Sequence, residues 1–225
     1  MKKIITMVGT SLFENYLEKN NNINFENAYN FFKDNKLKAS ELDNEKSWRE
    51  IIENGLKKNY FKNNPSTSAE IKSLIKLKEE LKDEFEIYLL YSDTVLSRLA
   101  GEILEKAIYY YDEFKDSTVK IKEIEDLQIW DKKEFEKGIV NLINTIYNIA
   151  QEYWENIIIN ITGGYKATVP YLTILGQINK CDIYYIFEDT EALIKIPYVP
   201  IDINWRVFEE NETFFIELEM KEIKK

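Results

Sequence analysis

The chain has no histidine among its 225 residues, and it has a single cysteine. It therefore lacks the commonest general base, the commonest zinc ligand and the base of Ser-His and Cys-His nucleophile systems. Ribonuclease sites that depend on an Arg and His pair are excluded for the same reason. Cys181 cannot form an intramolecular disulfide, and its apolar neighbours predict a buried thiol in a reducing, cytoplasmic compartment.

Positive charge and long apolar runs are also scarce. There are 30 Lys and Arg against 40 Asp and Glu, which gives a net charge of −10. A surface for duplex nucleic acid needs clustered cations and is not expected. No apolar segment approaches membrane-spanning length, so no membrane contact is expected. A small, enclosed anion site is compatible with the acidic total, because local dipoles outweigh distant, screened carboxylates.

Strand-like and helical segments alternate along the chain, which predicts an α/β fold with a largely parallel sheet flanked by helices. The predicted strands are Lys3–Val8, Glu86–Tyr91, Thr118–Ile124, Ile157–Ile161, Asp182–Phe187 and Ala192–Ile196. The last two should form a C-terminal β-hairpin through residues 188–191. Residues from about 23 to 82 predict a helical insertion that either covers one sheet face or projects laterally. We expect one domain over residues 1–205, followed by a tail or connecting segment over 206–225.

Helix boundaries follow from caps and periodicity. Helices are predicted from about Leu12, from Ser68 with Thr67 or Ser66 as cap, over Val95–Tyr111, over Lys132–Tyr153 and over Lys166–Asn179, with Ile201–Trp205 extended. The runs of Lys and Glu between residues 70 and 84 are typical of solvated helix faces.

The strongest motif is Thr162-Gly163-Gly164-Tyr165-Lys166, directly after an apolar strand and before a helix. Such a turn leaves backbone N–H groups free at a helix N-terminus, where the dipole favours an anion, and Lys166 adds a positive charge. The alternative is an ordinary tight turn with a solvated lysine. The P-loop and dinucleotide-binding glycine spacings are both absent, which disfavours a nicotinamide-dependent enzyme.

Other polar turns should converge on the same edge of the sheet, because they also follow predicted strands. Gly9-Thr10-Ser11 and Ser92-Asp93-Thr94 could cap helices, contact a ligand, or do both. Gln128 and Trp130 could bond to or stack on a base, or simply pack, and the same choice stays open for Tyr165. The candidate ligand-binding residues are Gly9, Thr10, Ser11, Ser92, Asp93, Thr94, Gln128, Trp130, Thr162, Gly163, Gly164, Tyr165, Lys166 and Thr168. No metal site and no cofactor are expected.

Four motifs together resemble the CRISPR-associated Rossmann-fold (CARF) domain, as found in stand-alone ring nucleases and in sensor halves of type III CRISPR ribonucleases. They are Met7-Val8-Gly9-Thr10-Ser11-Leu12, Ser68-Ala69-Glu70-Ile71-Lys72-Ser73-Leu74, Tyr91-Ser92-Asp93-Thr94 and Asn160-Ile161-Thr162-Gly163-Gly164-Tyr165-Lys166-Ala167. The likeness covers most of residues 1–205. It implies a Rossmann-like fold in a homodimer that binds cyclic oligoadenylate, most often the tetra-adenylate, on its two-fold axis.

Some members of that group only sense the ring, and others cut it without metal by attack of a ribose 2′-hydroxyl on its own 3′ phosphate. By resemblance, Ser11 would position the ribose or scissile phosphate, and Lys166 would stabilise the phosphate or leaving oxygen. These two are the candidate catalytic residues. The resemblance thus implies either a metal-independent ring nuclease or a sensor whose fused or separate effector domain lies outside this chain.

Overall fold

The computed structural model describes residues 1–128, 130–187, 192–200 and 204–222, and it has an α/β architecture. The strands are β1 Lys2–Met7, β2 Phe85–Ser92, β3 Thr118–Ile124, β4 Ile157–Asn160, β5 Asp182–Ile186 and β6 Leu193–Lys195. The helices are α1 Ser11–Lys19, α2 Ile23–Asn35, α3 Lys46–Gly55, α4 Lys58–Asn63, α5 Ala69–Leu81, α6 Val95–Ile108, α7 Lys132–Ala150, α8 Val169–Ile178, α9 Trp205–Glu210 and α10 Glu212–Glu222. The α/β prediction is confirmed.

The six strands form one sheet in the order β3-β2-β1-β4-β5-β6. Strands β1 to β5 pair in parallel, and β6 pairs antiparallel to β5 as the predicted hairpin. The chain builds outward from β1 through β2 to β3, then returns to place β4 on the other side of β1. The strand order therefore reverses between β1 and β4, where open parallel sheets form ligand crevices.

Alternate side chains of each strand enter two separate cores, as the period of two requires. Ile4, Ile87 and Leu89 lie in one cluster with residues of α1 to α6, including Phe25 and Phe32 of α2. Ile5, Leu90 and Ile159 lie in the other cluster, with residues of α7 and α8. The helices between residues 23 and 82 therefore cover one sheet face, which decides between the two arrangements that the sequence left open.

Several boundaries differ from the predictions. Helix α5 is capped by Ser68, whose hydroxyl oxygen accepts from Ile71 N, and not by Thr67 or Ser66. Helix α7 ends at Ala150 because Gln151 takes a left-handed conformation. Residues Lys166–Thr168 form a 3₁₀ turn, and α8 begins at Val169 with Pro170 in its first turn, where proline is favoured. Trp205 begins α9 and is not extended.

Two predicted segments lie outside the described residues, namely the hairpin turn at 188–191 and residues 201–203 of the extended segment. Within the part of the chain that the structure describes, none of the helices combines the length and apolar character needed to cross a bilayer.

Candidate functional site

A cavity of about 530 Å³ lies at the carboxyl ends of β1, β2 and β4, beside the reversal of strand order. Its lining combines apolar side chains, hydroxyls and lysines. The lining residues are Val8, Gly9, Thr10, Phe32, Lys33, Lys36, Leu37, Ser92, Thr94, Val95, Leu96, Ser97, Leu127, Gln128, Trp130, Gly164, Tyr165 and Lys166. Nine of the sequence-predicted site residues belong to this set, and the other five, Ser11, Asp93, Thr162, Gly163 and Thr168, do not.

The first turn carries the chain from β1 into α1. Val8 N donates to Leu90 O at 2.7 Å, which continues the sheet contact one residue beyond β1. Thr10 is the N-cap residue of α1, but its side chain makes no capping hydrogen bond and lines the cavity instead. Ser11 is exposed at the first position of α1, at the helix end where unpaired N–H groups favour anions.

The second turn connects β4 to α8, and most of its side chains have local partners. Thr162 Oγ1 accepts from Ile186 N at 3.0 Å, and the buried Thr168 donates its hydroxyl to Tyr165 O at 2.7 Å. Both side chains therefore stabilise the turn itself. Lys166 is exposed at the cavity and has no ion pair among the described residues.

The ring of Tyr165 both packs against another side chain and lines the cavity. Its ring meets Phe135 of α7 edge-on, with centroids 6.3 Å apart, and also lines the cavity. Burial raises the pKa of its hydroxyl.

A third group of predicted residues follows β2 and β3. Thr94 caps α6 by accepting from Ser97 N at 3.2 Å, as the sequence predicted. Asp93 is buried and accepts from Ala39 N at 3.1 Å, so it holds the segment after α2 in place and does not line the cavity. Gln128 is 2 % exposed, and within the described ranges its Oε1 has no hydrogen-bond partner. Trp130 presents its ring at the rim, 38 % exposed.

The end of α2 and the two residues after it also line the cavity, and sequence reasoning missed them. Phe32, Lys33, Lys36 and Leu37 all line the cavity. Lys33 Nζ lies 3.4 Å from a carboxylate oxygen of Glu14, in an exposed ion pair that contributes little to the stability of the fold. Lys36 is the left-handed C-cap of α2 (φ 50°) and has no ion pair in the described part of the chain. No motif separates these lysines from their many neighbours, because only the packing of α2 brings them to the cavity.

The side chain of Glu70 contacts both turns from the interior of the protein. Its side chain is 1 % exposed at the start of α5, in a position that the charge pattern assigned to a solvated face. Oε1 accepts from Gly9 N at 2.7 Å, Oε2 accepts from the Ser68 hydroxyl at 2.6 Å, and the carboxyl packs against Gly163, where an added Cβ would lie less than 3.0 Å from Oε1. Burial raises the pKa of Glu70. The N–H group of Gly9 is therefore occupied internally and is not free for a ligand.

The charge of the cavity is opposite to that of the chain. Among the described residues that line it there are three lysines, Lys33, Lys36 and Lys166, and no aspartate or glutamate. The whole chain has a net charge of −10. A cationic cavity with aromatic rings at its rim, in an acidic protein, is suited to a small ligand that carries both phosphates and bases.

An open parallel sheet with its cavity at the reversal of strand order defines an α/β protein of the Rossmann-like class. Within that class, the family described as CRISPR-associated protein (Cas_APE2256) matches residues 65–199, and the chain belongs to this family. The match includes Glu70 and Lys166, whereas Ser11, Lys33 and Lys36 precede it. Comparison with curated proteins finds no match.

Proposed function

We propose that this CRISPR-associated protein binds cyclic oligoadenylate, the second messenger of type III CRISPR antiviral defence, and that it cuts the ring as a metal-independent ring nuclease. The observation that carries the proposal is the lysine-lined cavity between the Gly9-Thr10-Ser11 turn and the turn before Lys166. Family membership supports the CRISPR role. The resemblance of the same turns to CARF motifs supports the ligand, for which we take cyclic tetra-adenylate.

The size of the cavity supports sharing of the ring between two protomers. About 530 Å³ lies within the usual range for small-ligand sites, and half of a tetranucleotide ring is such a ligand. A ring with its own two-fold symmetry would be matched by two identical cavities across a two-fold axis. Each protomer would then supply one Lys166 and one Lys36.

The exposed face of α8 is the surface that we assign to this dimer. Helix α8 follows directly from the Lys166–Thr168 turn, so its outer face lies next to the cavity. Tyr171 is 40 % exposed and Ile174 is 52 % exposed, three positions apart and so on one side of the helix. Apolar side chains of this size are more stable when they are buried against a second copy of the chain than when they are exposed to water.

Ile174→Glu should therefore convert the dimer to monomers and weaken ring binding, because a carboxylate would be buried against its symmetry mate. Sedimentation velocity with and without cyclic tetra-adenylate measures both effects. Ile23→Glu is the matched control, since Ile23 is 71 % exposed at the start of α2. If Ile174→Glu still forms a dimer, α8 is not part of the interface.

The proposed reaction needs geometry and charge stabilisation from the protein. The 2′-oxygen forms a bond to the adjacent phosphorus, the bond from phosphorus to the 5′-oxygen breaks, and the proton of the 2′-hydroxyl leaves to water. Water returns a proton to the 5′-oxygen, and the linear product carries a 2′,3′-cyclic phosphate. Ser11 at the N-terminus of α1 would hold the ribose or phosphate in line, and Lys166 would stabilise the developing negative charge.

Lys36 would contribute to affinity from the end of α2. Lys36→Asn removes the charge but keeps a residue that tolerates the left-handed backbone at φ 50°. The loss of one charge-assisted contact should weaken ring binding about tenfold, with the cleavage rate of the bound ring unchanged. Equilibrium filter binding and single-turnover cleavage separate the two. Unchanged affinity would exclude the end of α2 from phosphate binding.

The test of the function is incubation of the purified protein with radiolabelled cyclic tetra-adenylate in EDTA. Linear products that end in cyclic phosphate, and that are lost in Ser11→Ala, would establish the ring nuclease. Tight binding without products would favour the alternative. Failure to bind either the tetra- or the hexa-adenylate would contradict the proposed ligand.

The alternative function is that of a non-catalytic sensor, whose effector domain lies outside this chain. One observation favours it. Val207, Phe214 and Ile216 in α9 and α10 are exposed by about half, so this segment presents apolar side chains to a partner. Ring-dependent activation of a nuclease fused to or co-purified with the chain would decide for the sensor.

A further inference from the structure

The Glu70 carboxyl connects two turns that are far apart in sequence. It accepts the N–H of Gly9, 61 residues away, at 2.7 Å, and it packs against Gly163 in the turn after β4, where an added Cβ would lie less than 3.0 Å from Oε1. The Ser68 hydroxyl donates to its second oxygen and also caps α5. One side chain thereby ties together the start of α1, the start of α5 and the turn before Lys166.

The glycines fit around this carboxyl. A Cβ atom on Gly163 would lie less than 3.0 Å from Glu70 Oε1, and one on Gly9 would lie 3.0 Å from the same atom. The glycines of the two turns therefore leave space for Glu70 to reach both backbones. Without Glu70, the Gly9 N–H would lose its acceptor and the turn at Gly163 would lose the side chain it packs against.

Glu70 cannot serve the ligand directly. It is 1 % exposed, and it is absent from the residues that line the cavity. Thr10 and Lys166 do line the cavity. Thr10 follows Gly9, which bonds to Glu70. Lys166 lies three residues after Gly163, which packs against Glu70. Any effect on the reaction must therefore pass through the placement of these two turns.

We propose that Glu70 is a positioning residue, whose carboxyl holds the Gly9 turn and the Gly163-Gly164 turn in fixed register so that Thr10 and Lys166 face one ligand. This inference rests on the proposed function for its effect on catalysis. Its structural part concerns only the link between the turns, and it can be tested without a ligand.

The first test compares Glu70→Ala, Glu70→Gln and Glu79→Ala in the full chain, with labelled cyclic tetra-adenylate in EDTA. Glutamine keeps an oxygen for the Gly9 N–H, keeps the volume that packs against Gly163 and can donate to the Ser68 oxygen, so it should preserve the rate within about threefold. Alanine should lower the single-turnover rate about 100-fold, with a smaller loss of affinity, because a shift of about 1 Å disrupts in-line geometry. Glu79 is exposed on the same helix and serves as the control. A Glu70→Ala protein with the wild-type rate, or a Glu70→Gln protein as slow as Glu70→Ala, would overturn the proposal.

The second test uses amide hydrogen exchange and no ligand. In Gly163→Ala the added methyl would displace the Glu70 carboxyl, and exchange should accelerate about tenfold at Gly9, which lies in the other turn. Unchanged protection of Gly9 would show that the turns are not linked through Glu70 and would overturn the proposal, even if Glu70→Ala fails to fold. If the wild-type protein binds no cyclic oligoadenylate, only the proposed function is contradicted. Hydrogen exchange at Gly9 still tests whether Glu70 links the two turns.

Discussion

Lys166→Ala should lower the rate of ring cleavage by about 100- to 1000-fold, which is the usual loss when one preorganised donor to developing charge is removed. The reason lies in the placement of the lysine. Lys166 follows the double-glycine turn at the carboxyl end of β4, lines the cavity and has no ion pair in the described part of the chain. Its charge is therefore available to the phosphate group that gains charge in the transition state.

The measurement is single-turnover cleavage of labelled cyclic tetra-adenylate in EDTA, alongside equilibrium binding and sedimentation. Affinity should fall less than the rate, and the proposed dimer should be unaffected, because the Lys166 side chain is exposed. Lys115→Ala is the matched control, since Lys115 is also exposed but precedes β3 at the opposite end of the sheet. Equal rates for Lys166→Ala and Lys115→Ala would disprove the catalytic assignment.

The sheet was largely predictable because its strands are apolar and the intervening helices are periodic. The predicted strand Thr118–Ile124 has the observed ends, and the predicted β1, β2 and β4 agree with the structure to within one residue at each end. The parallel arrangement followed from the alternation of strands and helices. Helix ends were less predictable, since the end of α7 depends on a left-handed Gln151 that sequence does not mark. The start of α8 at Val169 did have a signal, Pro170.

The site was predictable only where it follows strand ends. The turns at Gly9 and Gly164 were found because both follow buried strands, and the cavity includes both. Lys33 and Lys36 were missed, because their role depends on how α2 packs over the sheet. Glu70 lies in a run of Lys and Glu that resembles a solvated helix face, and its burial depends on two turns more than 60 residues away on either side. Only the assembled fold makes that carboxyl an internal acceptor.

Gly164→Ala should destabilise the protein by about 3 kcal/mol or more, which combines backbone strain with overpacking. Gly164 has φ +94°, a conformation that residues with a side chain rarely adopt. An added Cβ would lie 2.6 Å from the Met7 carbonyl oxygen and less than 3.0 Å from the carbonyl carbon. These are backbone atoms of β1 in the centre of the sheet, so neither can move aside without disturbing the Gly9 turn.

Urea denaturation measures this loss of unfolding free energy. We expect Gly101→Ala to have the opposite effect. Gly101 lies inside α6, and its added Cβ would meet Tyr91 Cδ1 at an ordinary 3.5 Å. Alanine there should stabilise by about 0.5–1 kcal/mol, because glycine inside a helix has a high entropic cost. The same chemical change is therefore expected to act with opposite signs at two glycines. A Gly164→Ala protein as stable as Gly101→Ala would mean that the turn adopts another backbone, and the register between Gly9 and Lys166 would have to be revised with it.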